Sequence, residues 1–311
     1  MNVERCARCG RELGADRAGT HYCDACLRTV ARAGSGGLWR ATAALLVLLV
    51  AGGAALAFLA PTLTNAVDGT VRLLLGLVLT IVPALLWLSL FYAQDRLEPE
   101  PHNYVISVFV LGALLGGAVA QPLLREVFAI QNWAQSGTLT HLLAAILLPG
   151  VITATLAYFA VRFTVMPTSE FDERVDGIIY GTAAALGLGV AANLTYLMEN
   201  GTISLGVGAL HIIITSLAYA TFGAVLGYFL GLIHPGGGPG WLAPAGVLMA
   251  AVLHGLYEWI EGQLGTGGLG YNPWPSLLAT ALFAALTFAL TFYLLRRAYQ
   301  SMALAPVERG A

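Results

Sequence analysis

Val207-Gly-Ala-Leu-His211-Ile-Ile-Ile-Thr-Ser-Leu-Ala-Tyr-Ala-Thr-Phe-Gly-Ala-Val-Leu-Gly-Tyr-Phe-Leu-Gly-Leu-Ile233 contains no Asp, Glu, Lys or Arg. A helix needs about 20 apolar residues to cross the hydrocarbon core, so this stretch is long enough to span a bilayer. In lipid every backbone polar group must be satisfied within the segment, which makes the stretch helical. Similar runs lie at about 39–60, 71–93, 104–124, 139–163, 176–198, 241–260 and 276–297, giving eight predicted spans. The Gly-rich run 104–124 is the weakest of them and is closed by Gln121-Pro122. The chain is 58% hydrophobic and 10% charged with mean hydropathy +0.75, far from a soluble composition. The fold class is therefore all-α, a polytopic helical membrane bundle of about eight transmembrane helices.

Arginine placement orients the bundle. All fifteen basic residues are Arg, and with a cytoplasmic N-terminus thirteen fall inside, leaving only Arg72 and Arg125 outside. Both termini are expected in the cytoplasm and the membrane is expected to be the cell (inner or plasma) membrane. No secretory signal is expected, because the first apolar run follows an Arg- and Cys-rich segment of nearly forty residues. The net charge of −2 says nothing in favour of nucleic acid, and none is expected as a partner. The bilayer itself is the first partner.

Cys6-x2-Cys9 and Cys23-x2-Cys26 form two knuckles, and all four cysteines of the chain lie there. That spacing is close to a four-cysteine zinc ribbon, in which two turns complete a tetrahedron of thiolates. So short a polar segment cannot bury a core, so metal binding and folding are coupled. The expected organisation is a cytosolic ribbon at 1–29, a linker at 30–38 containing Gly34-Ser35-Gly36-Gly37, a membrane domain at 39–297 and a cytosolic tail at 298–311. Within the membrane domain, Gly112/Gly116, Gly177/Gly181 and Gly223/Gly227/Gly231 repeat at four-residue spacing, which lets helix backbones approach closely.

His211, His254 and Glu258 sit in or at the ends of predicted spans. An ionisable group in the membrane is costly and faces the bundle interior or marks a functional path. His254 and Glu258 are i and i+4 on one helix face, where a carboxylate can orient an imidazole. Asn193, His211 and His254 fall on three successive spans at a similar depth, roughly 6–9 Å below the outer boundary at 1.5 Å per residue. A shared site is the sharper reading. The bland ones are a helix–helix hydrogen bond for His211 and for Asn193, and an interfacial position for Glu258.

The stretch Glu170-Phe-Asp-Glu-Arg-Val-Asp176-Gly-Ile-Ile-Tyr-Gly181, followed by Gly187 and Asn193-x-x-Tyr196, resembles the central signature of the PrsW family of intramembrane proteases. Those proteins are distantly similar to CAAX-type prenyl endopeptidases. Asp95-Arg96-x-Glu98-Pro99-Glu100-Pro101 resembles the family's cytosolic loop, and Leu253-His254-Gly255-x-x-Glu258 its late His-x-x-x-Asp motif with Glu in place of Asp. His211 matches a further family histidine. The resemblance covers about 90–300 and implies cleavage of membrane proteins, such as anti-sigma factors, in or near the bilayer.

It also implies two glutamate motifs, Glu-Glu-x-x-Lys and Phe-x-x-x-Glu, and both are missing. Ungapped placement puts the second motif's Phe on Leu188 and its Glu on Ala192, and the first falls within Gly150-Val-Ile-Thr-Ala-Thr-Leu-Ala157. No Asp, Glu or Lys occurs from Val127 through Ser169. Peptide hydrolysis needs a group that takes a proton from water and returns one to the leaving amine. Glu170, Asp172, Glu173 and Asp176 lie about 26 Å of helix from Asn193 and cannot supply it. Three expectations follow. The first is a PrsW-type scaffold with degenerate catalytic motifs that recognises a single-span membrane protein or a peptide. The second is an active intramembrane protease using His211, His254 and Glu258 with Asn193 in support, together with a second divalent metal. The third is a transporter or channel. The first expectation rests on no carboxylate besides Glu258 approaching the histidines.

Overall fold

The computed structural model describes residues 69–93, 100–200, 205–234, 237–265 and 274–304, together with scattered positions among the first 52 that include all four cysteines. Seven helices among the described residues are long and apolar enough to cross a membrane. The predicted span at 39–60 falls largely outside the described residues, as does the tail beyond residue 304.

Helix α1 is Gly69–Tyr92 and α2 is His102–Leu115. Helix α2 does not stop at Gln121-Pro122 as its sequence predicts. It widens into π turns at Gly116–Ala120 and Leu123–Val127, where the Gln121 N–H donates to Gly116 O and the Phe128 N–H donates to Leu123 O. The wider turn accommodates Pro122, which lacks an N–H and in an α-helix would collide with the preceding turn. Two 3-10 turns, Ile130–Asn132 and Ala134–Ser136, lead to α3, Thr138–Ala145. A third π turn, Ile146–Gly150, surrounds Pro149 and joins α3 to α4, Val151–Thr164. The remaining helices are α5 (Arg174–Asn200), α6 (Leu205–Ile233), α7 (Leu242–Gly265) and α8 (Trp274–Leu304).

Helices α5 and α6 form the centre. The most apolar window of each is 89% buried, against 28–39% for the surrounding spans. The surrounding helices turn leucines such as Leu114, Leu147, Leu278, Leu282 and Leu286 outward, where lipid would meet them. Helices α5 and α6 meet along the glycine seam predicted from spacing. A Cβ added at Gly227 would lie 2.5 Å from the Gly177 carbonyl carbon and 2.9 Å from Ile178 Cα, and one at Gly181 would lie 2.9 Å from Gly227 Cα. Only residues without a side chain permit this backbone approach. The seam therefore sets the register that places Asn193 of α5 beside Ile212 and Ser216 of α6.

Candidate functional site

A cavity of about 330 Å³ opens between α5, α6, α7 and the two π-widened regions after α2 and α3. Asn193, His211, His254 and Glu258 all border it, so the structure brings the four sequence-predicted residues together. π turns recur at functional sites, and here the two proline-associated ones contribute Leu124, Arg125 and Pro149 to the wall.

His254 is almost wholly buried on α7. Its Nδ1 lies 2.8 Å from Thr153 Oγ1 and its Nε2 lies 3.2 Å from Glu258 Oε1, the i,i+4 pair expected from spacing. Phe222 stacks against its ring at 5.4 Å and Tyr219 meets it edge-on at 4.9 Å, leaving the imidazole little room to turn. His211 on α6 stacks on Tyr196 with ring centroids 3.9 Å apart. Its Nε2 faces Thr215 Oγ1 at 3.4 Å, and Thr215 is linked to the Tyr257 hydroxyl at 2.9 Å.

The expectation that only Glu258 approaches the histidines fails. Glu261 Oε1 lies 2.7 Å from His211 Nδ1, so the cavity holds a second His–carboxylate pair. Glu261 lies just beyond the predicted end of its span at residue 260, and the helix runs on to Gly265. The spacing His254, Glu258, Glu261 (i, i+4, i+7) is one helix face, and that spacing is the signal that could have found it. Thr153 and His141 were also missed. His141 borders the cavity with its ring packed against Gly262.

Asn193 Nδ2 donates to Ser216 Oγ at 3.2 Å and to Ile212 O at 3.4 Å, while its buried Oδ1 has no hydrogen-bond partner among the described residues. At the rim Arg125 and Glu199 form an ion pair. The positions where acids are missing lie at or next to the site as well. Ala192 lines the cavity, and Thr153, within the stretch that lacks the first glutamate motif, touches His254.

The metal expected at His211, His254 and Glu258 does not fit these residues as they stand. Among the described residues, the one group of three or more His, Cys, Asp or Glu side chains with ligand atoms within 4.8 Å of one another is Cys6, Cys9, Cys23 and Cys26. Cys9 Sγ and Cys23 Sγ are 3.7 Å apart, and no disulfide joins any of the four. A tetrahedron with Zn–S bonds of about 2.3 Å has edges of about 3.8 Å, so this spacing suits a zinc thiolate centre. Gly10 closes the first knuckle at φ +68°, a left-handed turn that glycine adopts without strain.

A second group of acids lies at the other end of α5. Glu100 Oε2 accepts the Tyr180 hydroxyl at 2.5 Å, and Asp176 Oδ2 accepts the backbone N–H groups of Asp172 and Glu173 at 3.0 and 2.6 Å. Burial pushes the Glu100 carboxyl up to about 7, against the hydrogen bond from Tyr180.

The protein is similar to other proteins over this same region. The protease PrsW of Geobacillus kaustophilus is 29% identical over 184 residues, 58% of this chain and 76% of the relative. The protease PrsW of Bacillus subtilis is 28% identical over 183 residues, covering 58% and 79%, and that of Oceanobacillus iheyensis is 28% identical over 223 residues, covering 71% and 94%. No solved structure matches. Residues 100–271, which hold the cavity, the two His–Glu pairs and the buried acids at the start of α5, match the family described as PrsW family intramembrane metalloprotease, and the chain belongs to that family.

Proposed function

We propose that this PrsW-family protein uses its cavity to bind a segment of a single-span membrane protein or a peptide, and that its hydrolytic apparatus is degenerate at the two glutamate motifs. Glu261 beside His211 removes one support of that reading and leaves it resting on the residues that replace those motifs. The observation that carries this reading is what stands at the two missing motifs. Ala192 stands where the second motif calls for a glutamate, and the first motif's stretch presents the Thr153 hydroxyl to His254. Both nitrogens of that ring are engaged, one by Thr153 and one by Glu258, which leaves neither aimed at a water. Hydrolysis needs such a base within hydrogen-bond reach of the proton it removes.

Proteolysis is the second reading, and one observation favours it. The His211–Glu261 pair is a carboxylate-oriented imidazole at the cavity, the arrangement found around working histidines. The two readings separate in one assay. Tagged single-span proteins are co-expressed with wild type, His254→Ala, Glu258→Gln and Glu261→Gln, and membrane-protein fragments are compared by proteomics. The degenerate reading expects the same fragments in all four. A fragment released by wild type and abolished by these substitutions refutes it.

The remaining assignments belong to the same proposal. Residues 1–29 form a cytosolic ribbon with structural zinc on Cys6, Cys9, Cys23 and Cys26, which serves as an adaptor. Residues 30–38 link it to the membrane domain at 39–297, and 298–311 is a cytosolic tail. Both termini face the cytoplasm at the cell membrane, in keeping with the arginine distribution.

A further inference from the structure

We infer that the membrane cavity is an acid–base site without a resident metal, built from two separate His–Glu pairs, although the family description names a metalloprotease. The inference stands whether or not hydrolysis survives, because it concerns what occupies the imidazole nitrogens.

The donor arrangement is the first ground. Among the described residues four cysteine sulfurs lie within 4.8 Å of one another, and no third His, Cys, Asp or Glu joins either cavity pair closely enough to complete such a group. One pair lies within α7, His254 with Glu258, and the other joins α6 to α7, His211 with Glu261. A catalytic zinc site needs three protein ligands around one open position. Two ligands here and two there do not make one.

Hydrogen-bond direction is the second ground. Thr153 Oγ1 lies 2.6 Å from Pro149 O, its shortest contact, and donates its one hydrogen there. It must then accept from His254 Nδ1, which carries a proton. The ring's other nitrogen, Nε2, faces Glu258 Oε1 at 3.2 Å. A lone pair opposed to a carboxylate oxygen would repel it, so a proton lies between the two groups. A cation at Nε2 would have to displace that proton. At His211 the nitrogen that points to a carboxylate is Nδ1, and the other meets Thr215.

The test measures metal on the full-length chain, purified in detergent without chelator from zinc-supplemented cells. Wild type, Cys6→Ser/Cys9→Ser, His254→Asn, Glu258→Gln and Glu261→Gln are compared by elemental analysis and by titration with Co²⁺. The expected result is a single zinc per chain, lost in the cysteine variant and unchanged in the other three. Co²⁺ should likewise saturate at a single equivalent, with a thiolate charge-transfer band. If wild type carries no metal at all, the ribbon assignment fails and the cavity inference stands. A second equivalent of zinc or Co²⁺ that survives Cys6→Ser/Cys9→Ser and disappears in His254→Asn or Glu261→Gln overturns it. The two glutamate-to-glutamine variants keep side-chain volume, so loss of metal in them reads coordination and not misfolding. Cleavage assays on the same preparations decide the hydrolysis question separately.

Discussion

Replacing Gly227 with alanine is expected to push the two central helices apart. The new Cβ would lie 2.5 Å from the Gly177 carbonyl carbon and closer still to its oxygen, whereas ordinary contact begins near 3.4 Å. The obstacle is backbone on both sides, so no side-chain rotation relieves it. The oxygen is the limiting contact, so the helices must separate by about 1.6 Å at this crossing to restore ordinary contact. Because Gly177, Gly181, Gly223 and Gly231 line the same seam, a local separation also loosens packing above and below. Overpacking of this kind costs about 1–3 kcal/mol. Unfolding by SDS titration, followed by tryptophan fluorescence, measures it, with Gly117→Ala as control because nothing lies within 4 Å of a Cβ there. The seam also holds Asn193 against Ile212 and Ser216, so partner capture at the cavity should fall together with stability. Gly177→Ala meets the same crossing from the other side, so the double variant should cost less than the sum of the singles. A Gly227→Ala protein as stable as the Gly117→Ala control would refute the close-seam account of α5 and α6.

Three further outcomes are expected. The Glu100 carboxyl, raised by burial from 4.5 to about 7, binds its proton more tightly in the folded chain than in the unfolded one. Its contribution to stability is therefore full below about pH 4.5 and is lost as pH rises through about 7; Glu100→Gln should flatten that slope in unfolding titrations, and an unchanged slope counts against it. Thr153→Val removes the acceptor for His254 Nδ1 and leaves a buried ring N–H unpaired, at a cost of about 1–3 kcal/mol. The ¹⁵N shift of that ring should move with the stability loss; an unmoved shift rejects the contact. Stripping metal with a strong chelator should expose residues 1–29 to protease while the helical circular dichroism of the membrane domain persists. Equal protease resistance with and without chelator argues against a metal-folded ribbon.

Much of the helical frame is legible in composition, because lipid allows a span no backbone arrangement but a helix and so converts apolar length directly into structure. The 207–233 run, the glycine spacing of the α5–α6 seam and the cysteine knuckles all belong to that legible part, as does the i,i+4 pairing of His254 with Glu258. Equal depth along successive spans also points to a site shared by Asn193, His211 and His254. Other features depend on which helices neighbour one another and how far each extends. Helix α2 runs through Pro122 because π turns absorb the missing donor, a choice made by packing and not by the residue alone. Thr153 meets His254 across 101 residues of chain, and Glu261 meets His211 across the α6–α7 contact. Depth along a span is additive in sequence, at 1.5 Å per residue. Rotation about the helix axis and choice of neighbour are not, since they are set by the whole bundle packing at once. That is why the chain alone places the histidines at one level and pairs His254 with Glu258, yet leaves the acid beside His211 to the packed bundle.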